Sequence, residues 1–343
     1  MKNKLFYIVM SAVLALCILG ACITAPDDGS SSASSAAESS RPAESTVSGG
    51  ADVPSEDPAD SSAPADESSE QPSDESSEPQ EESSEPPVDV SEPPVLPPDP
   101  NAYADVTDAA LGADEIDAYF NDSVFVGNSI MLHYKNYVTR RRGSDSTFLG
   151  SAKFHASASF SCYNNMQPIS DSSTHPLYQG EKMKIEDAVA AMGAKTVYFS
   201  GMALNELALF GAEASVSNLA AVADAVKAKS PDARIVVLAN TYRTRDFNDS
   251  RNKLNNAGIS EYNNLLLDYC NENGYDFVDI STPLVGGGCL ADKYCTDNAE
   301  GGSGCHLTAD AYAIWTAVLR DYAKAEQAGT YVNPDSMPLY SRG

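Results

Sequence analysis

Between residues 101 and 343 the sequence predicts an α/β fold, a mainly parallel sheet with helices on both faces. Two observations carry this. Short apolar runs alternate with segments of helical period, the order expected of strand–helix–strand units. The clearest run, Arg234-Ile-Val-Val-Leu-Ala239, reads as a strand buried in the sheet's interior, as parallel strands covered on both faces require. No second linker divides this stretch, so it is expected to form one core.

The elements follow in order. Asp114 to Phe120 reads as a short helix and Val124–Val126 as the first strand, with Ala152–Ala156 a weaker extended run. Ile185, Ala188, Val189 and Met192 recur at i, i+3, i+4 and i+7, which predicts a helix over 185–192. Thr196–Ser200 is a β-branched and aromatic strand. Ala212–Lys229 is an amphipathic helix stopped by Pro231. Ser260–Glu272 carries Leu265, Leu266, Tyr269 and Cys270 on an apolar side and ends before Gly274. Phe277–Ile280 is a short strand. Thr308 is placed to cap a last helix carrying Tyr312, Trp315 and Leu319.

The first hundred residues read differently. Lys2 and Lys4 precede an apolar stretch from Leu5 to Ala21, the pattern of a signal peptide over residues 1–21. It closes in Leu19-Gly-Ala-Cys22, which resembles a bacterial lipobox and implies diacylation of Cys22. Two acyl chains anchor a protein stably where one is marginal. Residues 22–100 are dominated by Ser, Pro, Glu, Asp and Ala. From residue 23 to residue 100, 20 acidic side chains stand against one basic side chain, Arg41. Such a segment has too little apolar surface to offset its ordering entropy, so it is expected to be a disordered, extended tether. A chain of net charge −27 is a poor nucleic-acid binder. The expected location is the extracytoplasmic face of a bacterial cell membrane, with the head a monomer held there by its lipid.

Outside the cytosol disulfides persist. Five cysteines fall in the head: Cys162, Cys270, Cys289, Cys295 and Cys305. A Cys295–Cys305 or a Cys289–Cys295 bridge would pin the loop before His306, stabilising it by roughly 2–3 kcal/mol. An odd number leaves at least one thiol free. Cys289, Cys295 and Cys305-His306 loosely resemble a metal cluster, but no Cys-x-x-Cys pair accompanies them, so no metal is expected.

Three segments carry chemistry. Ser123-Val-Phe-Val-Gly-Asn-Ser-Ile-Met131 delivers Ser129 into a turn after a strand, where parallel sheets place reactive groups. Tyr198-Phe-Ser-Gly-Met-Ala-Leu-Asn-Glu-Leu207 brings Gly201 and Asn205 after a second strand, and Gly304-Cys-His-Leu-Thr308 brings His306 before the last helix. A serine hydroxyl needs a base, histidine suits that task near neutral pH, and an asparagine amide can donate to an oxyanion. Plainer roles exist for each: a turn serine, a helix-capping asparagine, a surface histidine. His133, His155 and His175 belong to no such segment and read as structural or solvated. Arg140-Arg-Arg142 reads as a solvated face rather than a grip on anionic glycan or lipid.

Serine, asparagine and histidine in these segments resemble the SGNH (GDSL-type) hydrolases over roughly residues 117–322. That resemblance implies a flavodoxin-like three-layer α/β/α sandwich around a five-stranded sheet. It implies ester hydrolysis without a cofactor, with Ser129 as nucleophile, His306 as base, and Gly201, Asn205 and Ser159 on the oxyanion side. An acylated polysaccharide or small ester is the implied substrate. Three positions depart from the family pattern. Asn128 stands for its aspartate, Ser159 for its second-block glycine, and Ser303 for the acid that orients the histidine. Asp297 or Glu300, just upstream, is the expected replacement acid. If none serves, the domain is expected instead to bind glycan or protein through an inactive cleft.

Overall fold

The structure, a computed structural model, describes residues 102–200, 202–248 and 253–340. The signal segment, Cys22, the tether and Gly201 lie outside the described residues. The chain divides into two units, Met1–Glu85 and Pro86–Gly343, and every described residue belongs to the second.

Five strands form one sheet: β1 (Ser123–Gly127), β2 (Lys153–Ala156), β3 (Thr196–Ser200), β4 (Arg234–Leu238) and β5 (Asp276–Val278). Their spatial order is β2-β1-β3-β4-β5, and all four pairings are parallel. This is the flavodoxin-like order, whose crossover changes direction beside β1. All five residues of β1 are buried. Since alternate side chains point to opposite faces, both faces of the sheet are covered.

The covering helices are α1 (Ser129–Ser144), α2 (Ile185–Met192), α3 (Ala212–Lys229), α4 (Asn256–Asn273) and α5 (Ala309–Gln327). α1 packs with α5, while α2 packs on α3 and α3 on α4. The three-layer sandwich is therefore as expected. The segment Glu115–Phe120 is a 3₁₀ helix, with Asp114 in a reciprocal capping box. α4 starts four residues before the expected point, because the Asn255 side chain accepts the Gly258 N–H and caps it there.

The sequence reading missed α1. Its buried stripe is Ile130, Met131, Tyr134, Tyr137 and Val138, a helical spacing. Its last turn also corrects the reading of the arginines. Arg142 donates to the carbonyls of Phe148, Leu149 and Ala152. Arg141 binds the Asp108 carboxylate at 2.8 Å and the carbonyls of Asp108 and Leu111, and Arg140 reaches Asp108 at 3.1 Å. They brace two loops that would otherwise leave carbonyls unpaired.

Two contacts fix α5. Arg320 makes a buried, forked pair with Asp117, at 2.8 and 2.7 Å. The Tyr312 hydroxyl donates to the Ile130 carbonyl at 2.8 Å, joining α5 to the first turn of α1. Among the described residues no helix is long and apolar enough to cross a membrane.

Candidate active site

Four neighbouring strands end at one cleft. From β1 the chain passes through Asn128 to Ser129, from β2 to Ser159, from β3 to Asn205 and from β4 to Arg243. His306 enters on the loop before α5, and the cleft has a volume of about 470 Å³.

The turn at Ser129 is dictated locally. A Cβ at Gly127 would come within 2.5 Å of the Met131 Cβ, so only glycine lets α1 fold back this closely on β1. Asn128 is buried and caps α1, its Oδ1 accepting the Ile130 N–H at 3.0 Å. An aspartate oxygen would do the same, so the amide preserves the turn. Ser129 occupies the first helical position, where a backbone N–H has no partner within the helix.

The Ser129 hydroxyl lies 3.0 Å from Nε2 of His306, and Nδ1 of His306 lies 2.7 Å from Asp297 Oδ2. A carboxylate can only accept, so Nδ1 carries the proton and Nε2 is the free acceptor facing the serine. Of the two acids expected to replace the one absent at Ser303, Asp297 is in place. Glu300 is exposed and does not reach the histidine.

The Asp297 carboxylate also organises the loop. Oδ1 accepts the backbone N–H groups of His306 at 3.0 Å and Cys305 at 3.1 Å, and Oδ2 that of Ser303 at 3.0 Å. Burial opposes its charge, but the His306 ring and backbone, the Cys295 thiol and the Ser303 N–H hold its carboxyl well below the usual range. Gly304 makes the loop possible at φ +61°. A Cβ there would meet Phe247 Cδ2 and Thr244 Oγ1, each at 2.5 Å.

On the other side, Ser159 adopts φ +58°, a left-handed conformation that favours glycine. Where the resemblance implies a glycine, Ser159 thus holds a backbone conformation that glycine favours. One Nδ2 hydrogen of Asn205 goes to the Phe160 carbonyl at 3.1 Å, leaving the second for the cleft. The buried Glu206 ties these two loops together, accepting the Tyr163 N–H at 2.6 Å and Asn218 Nδ2 at 2.9 Å. Burial raises its carboxyl, partly countered by those bonds.

The cysteines depart from expectation. Cys162, Cys270, Cys289, Cys295 and Cys305 are all free thiols. Instead of bridging, Cys295 Sγ turns to Asp297 Oδ1 at 3.2 Å, and Cys289 is buried in a two-residue strand. Burial pushes the Cys305 thiol up to about 12 and that of Cys295 up to about 11. Asp297, Cys305 and His306 offer three metal-ligand atoms within 4.8 Å of one another. Their positions are accounted for by the hydrogen bonds described above.

His155 is buried, bonded through Nε2 to the Met183 carbonyl at 2.9 Å and pushed by burial down to about 4. His175 is held by Ser173 and the Asn165 carbonyl. Both are structural, as expected. His133 is not: it lines the cleft.

Together these residues make an α/β protein with a serine–histidine–aspartate line at the carboxyl edge of a parallel sheet. Residues 185–314 match the GDSL-like lipase/acylhydrolase family. That match begins at α2, downstream of Ser129 and Ser159. Similar solved structures include a GDSL-like lipase from Bacteroides thetaiotaomicron, 16% identical over 64% of this chain and 94% of that one, with a TM-score of 0.43. A lipase/acylhydrolase from Enterococcus faecalis is 12% identical over 60% of this chain and 96% of that one, with a TM-score of 0.42. No curated protein sequence matches the chain significantly.

Proposed function

We propose that this protein is a serine esterase that removes O-acyl groups, acetyl foremost, from a cell-envelope or environmental polysaccharide. The observation that carries the reading is the unbroken line from Asp297 through His306 to Ser129, with contacts of 2.7 and 3.0 Å.

In this reading Ser129 Oγ attacks the ester carbonyl as its proton passes to His306 Nε2. Asp297 keeps Nδ1 protonated and stabilises the imidazolium. The N–H groups of Ser129 and Ser159 and the free Asn205 amide hydrogen receive the oxyanion. His306 then returns the proton to the departing alcohol. Water attacks the acyl-serine with His306 again as base, which frees the acid and restores the serine.

The alternative, an inactive cleft that binds glycan or protein, rested on Asn128, Ser159 and Ser303. The Asn128 cap, the left-handed Ser159 backbone and the Asp297 carboxylate each support turnover instead. The signal-peptide and lipobox pattern supports a membrane-anchored location, from which a long acidic tether would let the head sweep the surrounding wall. That location and the polysaccharide substrate rest on sequence pattern and family analogy.

A fluorophosphonate probe tests the reading. The expected result is one covalent adduct, mapped to Ser129 by peptide mass and absent from Ser129→Ala. No adduct, or equal labelling of the variant, would contradict it. Acetate release from O-acetylated polysaccharides then tests the substrate, and none from any such polymer would remove that part.

A further inference from the structure

His133 lies four residues after Ser129, so the two side chains share one face of α1. It lines the cleft, and its ring centre is 5.0 Å from that of His306, with the ring planes 41° apart. The residue is exposed, so core packing does not account for a histidine there.

Among the described residues the ionisable groups around it are few. His306 touches it, Asp297 stands behind His306, and Cys305 and Arg243 line the same cleft. Arg243 is turned toward the Ser303 and Leu254 carbonyls. Desolvation of the ring where it lies against the cleft, and the neighbouring His306, lower the protonation range of His133, against the pull of Asp297, so its ring is uncharged near neutral pH.

During acyl transfer His306 becomes a cation. A neutral aromatic ring at this distance attracts a cation, and a second cation repels it. We propose that His133 is a positioning residue for the base. Its uncharged ring packs on His306, keeps that ring aligned between Ser129 and Asp297, and favours the imidazolium formed in the reaction. This inference rests on the esterase reading above.

The test uses the full chain with His133→Ala, His133→Phe and His133→Lys, the side chain being exposed enough for each to fold. Two readouts are needed. In an NMR pH titration of the histidine rings, the His306 midpoint should fall by roughly half a unit in His133→Lys and stay near wild type in His133→Phe. An unmoved midpoint in His133→Lys would overturn the proposal, and this readout does not require turnover. In ester hydrolysis, His133→Ala should lower kcat about fivefold with KM within twofold, an effect smaller than loss of a general base. His133→Phe should restore most of that loss. Wild-type kcat in His133→Ala, or no rescue by phenylalanine, would also overturn it. Loss of Ser129-dependent turnover in the wild type would instead reject the esterase reading, with the titration still deciding the role of His133.

Discussion

Asp297 meets His306 twice: Oδ2 accepts the ring Nδ1–H at 2.7 Å while Oδ1 accepts the backbone N–H at 3.0 Å. One carboxylate therefore orients the base and shapes the loop that carries it. An acid three residues before the histidine would sit at Ser303; here that residue gives only its N–H, and the acid arrives from nine residues upstream.

Replacing Asp297 with asparagine should keep much of the loop but present the wrong hydrogen-bonding pattern to Nδ1. A drop in kcat of about 10³–10⁴-fold is expected, while Glu300→Ala stays near wild type. Steady-state kinetics of the two variants checks this. A large loss in Glu300→Ala with Asp297→Asn active would reverse the assignment.

The pH dependence of stability follows from the same carboxylate. Its folded-state value is depressed, so its contribution is present above the ordinary carboxylate range and is lost as pH falls toward the depressed value. Wild type should therefore lose more unfolding free energy between pH 5 and pH 2 than Asp297→Asn. Denaturant titrations at several pH values measure the difference, and parallel curves would contradict it.

Ser159 holds φ +58° with a side chain that glycine would not need. Ser159→Gly should relieve about 1 kcal/mol of backbone strain, less the extra entropy of glycine in the unfolded chain. Activity should be retained. Ser159→Val, β-branched, should destabilise the turn and reduce kcat. Thermal unfolding with parallel kinetics tests both, and a fully active, stable valine variant would refute the role of this backbone.

Tyr312 links the helix behind His306 to the first turn behind Ser129 through the Ile130 carbonyl. Tyr312→Phe removes that bond and should cost about 1–3 kcal/mol. It should also lower kcat more than KM, because the serine–histidine distance loses a restraint. Equal kcat in the two proteins would show that α1 and α5 are held elsewhere.

Burial raises the thiols of Cys295 and Cys305 to about 11 and about 12, leaving little thiolate at pH 8. Both should alkylate much more slowly than a small free thiol in native protein, and at ordinary rates after unfolding. Peptide mapping after iodoacetamide measures this. Recovery of a Cys295–Cys305 disulfide peptide would contradict the free-thiol arrangement.

Much of the fold was legible because β1, β3 and β4 are largely apolar runs; the helices at 185–192 and 212–229 begin and end where the periodicity and Pro231 place them. α1 was not read, since its apolar stripe is partly tyrosine and its C-terminal end carries three arginines whose partners lie in loops outside the helix. Ser129, Asn205 and His306 were visible as motifs because each follows a strand or precedes a helix. Asp297 could be narrowed only to one of two acids, since choosing between them needs the path of a glycine-rich loop. His133 and Tyr312 carried no motif signal, as their roles depend on which helix faces meet.

The most direct test is hydrolysis of p-nitrophenyl acetate by the full chain and by Ser129→Ala across pH 5–9. Turnover that rises as a histidine deprotonates, and that falls to the buffer rate in the variant, is the predicted result. Equal rates in both proteins would mean that Ser129 is idle, and the serine esterase account would be wrong.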